Sequence, residues 1–385
     1  MHLSLSPIEL EQYSRHLTLP GFGVERQLAL KAAKVLLVGA GGLGCPIGLY
    51  LAAAGVGTLG VVDFDRVERS NLQRQVAHTV ERLGQPKVES LITTMQALNP
   101  LLNYVPHACR LSETNVQQTI AGYDLVIDGS DNFTTRFLLA DACHLSGIPL
   151  LQGAIHQYEA QISLFVPGDG ACYRCVFQQP PQQSALAPCA EVGVLGVMPG
   201  TAGLMMATEA IKFLTGLPTP AHGHLLRYNA LSQTLRQLAI SADENCPLCG
   251  PHATIREACE QVVHCPSGMG QEVMGDAQSS VDAGLSMVLN APEAQALVEK
   301  GALLLDVREW FEFEAGHLPQ ALHLPLGQVS VKAKTMIPEP STPMVVYCQR
   351  GQRSLEAVRQ LRALGYAQSY SLTGGIGAWG AAVEA

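Results

Sequence analysis

The sequence lacks two features that would assign it to a particular class of protein. It has no excess of basic residues, since 24 Lys and Arg stand against 33 Asp and Glu and the formal net charge is −9. This balance argues against a nucleic-acid binder. Residues 1–11 also lack the basic start and apolar core of a secretory signal peptide. We therefore expect a cytoplasmic protein that has no nucleic acid among its partners.

Charged residues are also absent from residues 35–62. An uncharged run of this length could span a bilayer. Its many glycines, and the charged residues Lys34 and Asp63 at its ends, instead favour a strand, a glycine turn, a helix and a second strand. We expect no membrane span, and the 385 residues with 47% hydrophobic content predict two or three domains with buried cores.

The glycine turn is the sequence GAGGLG at residues 39–44. Gly39 allows a tight turn, Gly41 lets backbone N–H groups approach a phosphate, and Gly44 lets the helix pack on the strand. The helix N-terminus favours an anion, and Asp63 ends the second strand, where it can accept ribose hydroxyls. The turn predicts a nucleotide site, for which an ordinary dehydrogenase is an alternative on this motif alone.

Three polar residues that follow suggest donors to a polyphosphate. Lys87 lies in the first turn of a helix predicted for residues 86–98, where its charge opposes the helix dipole, so an anion is expected nearby. Asn71 and Arg74 precede it in a polar segment. We interpret the three as converging on one ligand, and a plain exposed loop is the alternative.

A second polar segment follows a strand predicted at residues 125–127. Asp131 and Asn132 lie where this strand ends, which is the ligand-binding edge of a parallel sheet. A carboxylate beside a triphosphate is expected to bind Mg²⁺. The alternation of strands and helices up to this point predicts a doubly wound, Rossmann-like α/β sheet.

Four of the eleven cysteines form two C-x-x-C pairs, Cys172 with Cys175 and Cys246 with Cys249. Without a secretion signal, this usage indicates metal or thiol chemistry. Two pairs can hold one tetrahedral ion, and four thiolates with no open position predict a structural zinc site. Two redox disulfides are the alternative. We consider it weaker because redox pairs usually open a helix, which neither pair predicts here.

Three other cysteines lie in less informative segments. Cys189 is flanked by small residues, and its thiol fits a nucleophile or an unused side chain equally well. Residues 251–288 are rich in Gly, Ser, Gln and Asp, which predicts a linker between a domain at 1–250 and a second at 289–385. We assign no role to Cys259 and Cys265 in this region.

The second domain is predicted to be a small α/β unit. One buried strand ends at Asp306 and Arg308, and another ends at Cys348, where a loop leads into a helix near Ser354. Backbone N–H groups, a helix N-terminus and the loop arginines would favour a thiolate at Cys348 and an anionic persulfide on it. A buried inert cysteine is the alternative.

At this point the motifs identify two families. Residues from about 15 to 249 resemble the adenylating enzymes that activate ubiquitin-like sulfur carriers, which are relatives of ubiquitin-activating enzymes. The motifs that carry this resemblance are GAGGLG, DFDRVERSNLQRQ, GQPK, GSDNFTTR, CYRC, PCAEVGVLGVMPG and CPLC. Residues from about 291 to 385 resemble a single rhodanese domain through LLDVRE, GHLPQALHLP, CQRGQRS and LTGGIGAW. Together they resemble the fused adenylyltransferase–sulfurtransferase enzymes.

The resemblance implies a role for each matching residue. The implied ATP contacts, with Asp131 also near Mg²⁺, are Gly42, Asp63, Asn71, Arg74, Lys87, Asp131 and Asn132. Arg15 matches an arginine that reaches into the partner subunit's site, which implies a homodimer. The four paired cysteines match zinc ligands, Cys189 matches a cysteine that links covalently to the carrier in some members, and Cys348 matches the persulfide-bearing cysteine.

The implied reaction is ATP-dependent adenylation of the C-terminal glycine of a ubiquitin-like sulfur carrier that ends in Gly-Gly. Sulfur would then pass from a Cys348 persulfide, charged by thiosulfate or a cysteine desulfurase persulfide, to give the carrier thiocarboxylate. Molybdopterin and thiamine synthesis are the pathways that use such carriers. Two alternatives are an NAD-dependent oxidoreductase, which leaves the paired cysteines and Cys348 unexplained, and a non-catalytic scaffold for carrier and sulfur donor.

Overall fold

The structure is a computed structural model that describes residues 4–180, 193–260 and 287–380. The chain divides into two compact units, residues 1–263 and 264–385. This division falls inside the segment interpreted as a linker, of which residues 261–286 lie outside the described part. Each unit has its own sheet.

After three N-terminal helices, the first unit alternates strands and helices from residue 34 to residue 156, as the sequence predicts. Its helices are α1 (Pro7–Gln12), α2 (Ser14–Leu17), α3 (Gly23–Ala32), α4 (Gly44–Ala54), α5 (Lys87–Leu98), α6 (Val116–Ile120), α7 (Phe133–Leu145), α8 (Tyr173–Val176) and α9 (Val197–Leu214). Its strands are β1 (Lys34–Val38), β2 (Thr58–Val62), β3 (Asn103–His107), β4 (Leu125–Asp128), β5 (Leu150–His156), β6 (Glu159–Phe165), β7 (His224–Asn229) and β8 (Thr234–Ala239).

These strands form one sheet in the order β3-β2-β1-β4-β5-β6-β7-β8. The pairs from β3 to β5 are parallel, whereas β6, β7 and β8 add antiparallel pairs. The strand order reverses between β1 and β4, and such a point opens a crevice at the carboxyl ends of the strands. The glycine turn follows β1 and residues 129–132 follow β4, so both predicted ligand segments meet at this crevice.

The central parallel strands β1, β2 and β4 are buried on both faces, which explains their continuous apolar sequences. Val35 and Leu37 of β1 belong to one core, with α4, α5 and α9. Leu36 and Val38 belong to a second core on the other face, with α6 and α7. The uncharged run therefore forms two central strands of the sheet and α4, one of the helices that cover it. None of the helices in the described ranges has the length and apolar character needed to traverse a bilayer.

The second unit is a smaller α/β layer. Its helices are α10 (Ala291–Glu299), α11 (Trp310–Glu314), α12 (Leu326–Met336) and α13 (Gln352–Ala363), followed by a 3₁₀ turn at Gly375–Ala378. Its strands are β9 (Val288–Leu289), β10 (Leu303–Asp306), β11 (Leu322–His323), β12 (Met344–Tyr347) and β13 (Ser369–Leu372). They form a parallel sheet in the order β11-β10-β12-β13-β9, with Cys348 directly after its central strand.

Candidate functional site

The turn after β1 depends on glycine at two positions. Gly39 has φ +95°, and a Cβ there would lie 2.9 Å from the carbonyl oxygen of Gly129 in the loop after β4. A Cβ on Gly44 would lie 1.8 Å from the carbonyl oxygen of Gly39. Any side chain at Gly44 would therefore push α4 away from β1, so the tight strand-to-helix turn requires glycine here.

Asp63 is hydrogen-bonded directly to this turn. One carboxylate oxygen accepts from the backbone N–H of Ala40 at 2.8 Å, and the other accepts from the N–H of Asp65 at 2.8 Å. Burial raises the pKa of Asp63, while these two hydrogen bonds and the charge of Lys87 oppose the rise. Each oxygen retains acceptor capacity, which is what binding of ribose hydroxyls at this position requires.

Lys87 is buried at the first position of α5, and its Nζ donates to Asp65 at 2.7 Å. The anion expected beside this lysine is therefore a carboxylate of the protein. The Lys87 side chain is 8% exposed, whereas that of Asp65 is 50% exposed. The cation is thus fixed beside the glycine turn, while its partner faces solvent and could yield to an anionic ligand.

Asn71 and Arg74 lie on one short segment beside the turn. Asn71 is buried, and its Oδ1 accepts from the N–H of Glu68 at 3.2 Å, so part of its role is to hold the Arg69–Asn71 turn. The Arg74 side chain passes 3.7 Å from the position that a Cβ on Gly42 would take. Its guanidinium donates to the carbonyl of Ser70 at 3.2 Å, which leaves most of its donors available.

Asp131 and Asn132 are exposed in the loop after β4. Asn132 is the N-cap of α7, because its Oδ1 accepts from the N–H of Thr135 at 2.8 Å. The Asp131 carboxylate has no hydrogen bond or ion pair among the described residues, so its role as a metal ligand remains a prediction. Gly41 and Gly42 face the same crevice from the other strand, while Arg15 is exposed on α2 and has no described contact with this group.

Two residues of this region were not predicted from the sequence. Asp128 is completely buried at the end of β4, where burial raises its pKa and its Oδ1 accepts from the N–H of Ser130 at 2.9 Å. A charged residue closing a buried strand was the available signal for Asp128. His78 contacts the glycine turn through the carbonyl of Ala40, and no sequence pattern marks it.

The four paired cysteines lie together in the first unit. Their sulfurs all lie within 4.8 Å of one another, with separations of 3.7 Å for Cys172–Cys175, 3.4 Å for Cys172–Cys246 and 3.3 Å for Cys175–Cys249. Four sulfurs bound tetrahedrally at the usual zinc distance stand about 3.8 Å apart. Burial raises the pKa of Cys172, so its thiolate form would be stabilised by a cation bound between the four sulfurs. The donor set fits a metal ion such as zinc.

The expectation that neither cysteine pair opens a helix is wrong for the first pair and holds for the second. Residues between the first pair do form a helical turn, α8, with Cys172 as its N-cap. The evidence for one shared metal site is instead that the four thiols are free and that each pair contacts the other, Cys172 with Cys246 and Cys175 with Cys249. Arg174 of α8 makes a buried bidentate ion pair with Asp141 of α7, at 2.6 and 2.9 Å. This pair fastens the cysteine cluster to the second core of the sheet.

Cys348 is 1% exposed, and its Sγ accepts from the N–H of Gly351 at 3.1 Å. Gly351 has φ +98° and precedes α13, which begins at Gln352, two residues before the predicted start. A Cβ on Gly375 would lie 2.4 Å from the carbonyl oxygen of Cys348, so the following turn packs directly on this loop. The loop thus holds the sulfur against the backbone N–H of Gly351, next to the N-terminus of α13, where the helix dipole is positive.

Two arginines beside Cys348 are already paired with carboxylates. Arg308 makes a buried ion pair with Asp306 at 2.7 Å. Arg353, in the first turn of α13, makes a bidentate ion pair with Glu312 of α11, at 2.6 and 2.7 Å. These pairs fix the walls of the loop, whereas Arg350 is exposed. Cys189 lies outside the described residues, and Cys259 is exposed.

Comparison with known proteins assigns a family to each of the two parts of the chain. Residues 13–248 match the ThiF family and residues 290–382 match the Rhodanese-like domain. "Adenylyltransferase and sulfurtransferase MOCS3" of Drosophila grimshawi is 40% identical over 395 residues, spanning 98% of this chain and 85% of its own. "Probable adenylyltransferase/sulfurtransferase MoeZ" of Mycobacterium tuberculosis is 38% identical over 383 residues, spanning 98% and 94%.

Relatives of the first unit alone are also found. "Sulfur carrier protein adenylyltransferase" of Thermus thermophilus is 47% identical over 262 residues, which span 67% of this chain and 97% of its own. The crystal structure of E. coli MccB with MccA-N7isoASN matches with a TM-score of 0.57 and 21% identity, over 62% of this chain and 74% of that one. At that identity the match shows the fold only. The chain therefore belongs to the ThiF family and, over almost its whole length, to the fused adenylyltransferase and sulfurtransferase enzymes.

Proposed function

We propose that this chain adenylates the C-terminal glycine of a ubiquitin-like sulfur carrier and then replaces the adenylate with sulfur held on Cys348. The observation that carries the proposal is the presence, in one chain, of a glycine turn with Asp63 and Lys87 beside it and of a thiol that accepts a backbone N–H. The first arrangement suits ATP, and the second suits a persulfide.

Adenylation makes a carboxylate reactive, since its own leaving group would be oxide. The carrier carboxylate attacks the α-phosphorus of ATP, the bond to the β-phosphate oxygen breaks, and pyrophosphate leaves. Lys87 and Arg74, with Arg15 from the partner of a homodimer, would stabilise the developing charge. Gly41 and Gly42 would admit the phosphates, with Asp63, Asn71 and Asn132 completing the site. Asp131 would hold Mg²⁺, which supplies further neutralisation of the phosphate charge.

Sulfur transfer would use the outer sulfur of the Cys348 persulfide. It attacks the acyl carbon, AMP leaves, and an acyl disulfide remains between carrier and enzyme. A second thiol, for which we propose Cys189, attacks the inner sulfur and releases carrier thiocarboxylate with formation of an enzyme disulfide. We propose thiosulfate, which would leave as sulfite, or a cysteine desulfurase persulfide as the source of the sulfur.

The proposal also covers the metal site, the domain boundaries and the oligomeric state. Cys172, Cys175, Cys246 and Cys249 would hold one structural Zn²⁺, because four thiolates leave no open position for catalysis. The adenylating domain would span residues 1–250 and the sulfurtransferase domain residues 289–385, with 251–288 as the linker. The protein would act as a cytoplasmic homodimer.

The test combines the purified chain, ATP, Mg²⁺, thiosulfate and each candidate carrier. Mass spectrometry should then show exchange of one oxygen for sulfur at the carrier C-terminus, only when ATP is present. Pyrophosphate release should depend on the cognate carrier. Formation of NADH with no pyrophosphate release would instead support an oxidoreductase, and binding of the carrier without release would support a scaffold.

A further inference from the structure

His78 is a buried side chain that the proposed reaction does not use. It is 5% exposed, and both of its ring nitrogens have protein partners. Nε2 lies 2.9 Å from the carbonyl oxygen of Ala40 in the glycine turn, and Nδ1 lies 2.9 Å from the hydroxyl of Ser90 on α5. A buried polar ring with two short contacts restrains the groups at both ends.

The partners determine where the proton lies. A carbonyl oxygen can only accept, so Nε2 must carry the hydrogen and donate it to Ala40. Nδ1 is then the acceptor and receives the Ser90 hydroxyl hydrogen. Burial lowers the pKa of His78, and the nearby cations of Lys87 and Arg82 lower it further. The neutral ring with hydrogen on Nε2 is therefore the form that this environment favours.

This ring joins three segments that are separate in the sequence. Its own segment carries Asn71 and Arg74, and the N–H of His78 donates to the carbonyl of Gln75 at 3.1 Å. The second segment is the glycine turn, where the N–H of Ala40 is bonded to Asp63 at 2.8 Å. Ala40 is thereby held from both sides.

The third segment is the first turn of α5. Ser90 lies three residues after Lys87, so both project from the same side of the helix. Arg82 reinforces the junction, because its guanidinium donates to the carbonyl of Ser90 at 2.8 Å. Thr94 adds a further bond from α5 to the carbonyl of Ala77 at 2.8 Å. The same few residues therefore fix the helix that presents Lys87.

We propose that His78 is a positioning residue for ATP, which holds the glycine turn, the Asn71–Arg74 segment and the Lys87 turn in register through its contacts with Ala40 and Ser90. The inference rests on the proposed function, because it assigns these three segments to the nucleotide. It predicts that losing the His78 donor weakens the binding of ATP more than that of the carrier.

The experiment measures carrier-dependent ATP–pyrophosphate exchange by the full-length protein. His78→Leu should raise the KM for ATP about tenfold, the usual effect of one lost buried hydrogen bond. His78→Gln should stay within about threefold of the wild type, because its amide N–H can replace Nε2 as the donor to Ala40. The KM for the carrier should change by less than about twofold in both variants.

A second pair of variants tests the tautomer. Ser90→Ala removes the hydroxyl that keeps Nδ1 an acceptor, so it should raise the KM for ATP about threefold. The double variant with His78→Gln should be no worse than His78→Gln alone, because residues in one network are non-additive. His144→Leu is the matched control. It replaces a half-buried histidine of the same unit, on α7, and should leave both KM values unchanged.

The outcomes separate this inference from the proposed function. If the wild type shows no carrier-dependent exchange, the proposed function fails. If the wild type is active and His78→Leu leaves the KM for ATP unchanged, or impairs ATP and carrier equally, the positioning role is overturned. Equal impairment by Leu and Gln would also overturn it. If His78→Leu fails to fold, the outcome is decided by Ser90→Ala, His78→Gln and their double variant. Full additivity of the two single effects on the KM for ATP would contradict the proposal.

Discussion

The two candidate sites of this chain are built in opposite ways. The nucleotide-type site is assembled from five separate segments, at residues 39–44, 63–65, 71–78, 87–90 and 129–132, and it opens at the edge of a sheet. The site at Cys348 comes mainly from one strand, one loop and one helix, and the sulfur is 1% exposed. A large ligand needs groups brought together by the fold, whereas one sulfur atom can be held by a local turn.

The cations of the two sites differ in how exposed their carboxylate partners are. Lys87 is paired with Asp65, which is half exposed. A phosphate of the proposed ATP can therefore replace Asp65 as the partner of Lys87. Arg353 and Arg308 are paired with carboxylates that are 18% and 0% exposed. The first site therefore keeps a cation available, and the second uses its cations to fix the loop. Four variants can break or sharpen this contrast.

The largest effect is expected at the Cys348 site. Cys348→Ala should abolish thiosulfate-dependent formation of carrier thiocarboxylate, with a loss of at least about a hundredfold, because the nucleophile is absent. Carrier adenylation should persist, and high concentrations of free sulfide should restore some product by attacking the adenylate directly. Mass spectrometry of the carrier measures both. Cys109→Ala is the control, and full activity of Cys348→Ala would show that this cysteine is not the sulfur source.

Asp131→Ala should have the complementary effect, which is loss of adenylation at the nucleotide-type site. Carrier-dependent pyrophosphate release should fall by about a hundredfold or more, since the variant loses the carboxylate proposed for Mg²⁺. Thiosulfate sulfurtransferase activity should remain, because Cys348 and its loop are in the other unit. Glu81→Ala, which removes another exposed carboxylate, should change neither activity. Loss of both activities in folded Asp131→Ala protein would refute the separation of the two sites.

Cys246→Ser tests whether the cysteine cluster serves only the first unit. Zinc content, measured by elemental analysis, should fall from one ion per chain, and the Tm of the first unit should drop by about 10 °C, because metal binding contributes to folding. The rate of Cys348 alkylation should not change. Cys109→Ser should retain both zinc and Tm. Metal-free wild-type protein with an unchanged Tm and full activity would contradict a structural zinc.

The smallest effect is expected at Glu312, whose pKa is held below its usual range. Burial is the largest single influence and would raise this pKa. The hydrogen bonds from Arg353 and from the backbone N–H of Glu309, together with the charges of Arg353 and Arg308, outweigh burial. Glu312→Gln should lower the free energy of unfolding of the second unit by about 1 kcal/mol at pH 7, since a charged hydrogen-bond acceptor is lost. Urea unfolding measures this difference.

The pH dependence of that difference has a definite sign. A carboxylate with a lowered pKa stabilises the fold fully above its unfolded pKa, and this contribution is lost as the pH falls through its folded pKa. The wild type and Glu312→Gln should therefore converge in stability below about pH 4. Glu356→Gln, from an exposed pair with Arg359, should match the wild type throughout. A difference that stays constant with pH would contradict the role of this ion pair.

Much of the fold is readable from the sequence because its signals are local. The helix predicted for residues 86–98 is α5, which begins one residue later, and the strand predicted for 125–127 is β4, which ends one residue later. Gly39 and Gly44 indicate their turn because only glycine fits it. The antiparallel strands β6 to β8 had no comparable signal, since their pairing joins residues such as Gln161 and Arg227 that are distant in the chain.

The sequence by itself determined the type of each site: the glycine turn, the paired cysteines, and the loop that starts at Cys348. Each depends on residues that are neighbours along the chain, and their chemistry follows from residue type and spacing. Only the tertiary structure showed that Asp65 is the partner of Lys87, that Glu312 holds Arg353, and that His78 bonds Ala40 and Ser90. These contacts are long-range hydrogen bonds between polar side chains, which leave no periodic pattern in the sequence because each forms only after the sheet and its helices have packed.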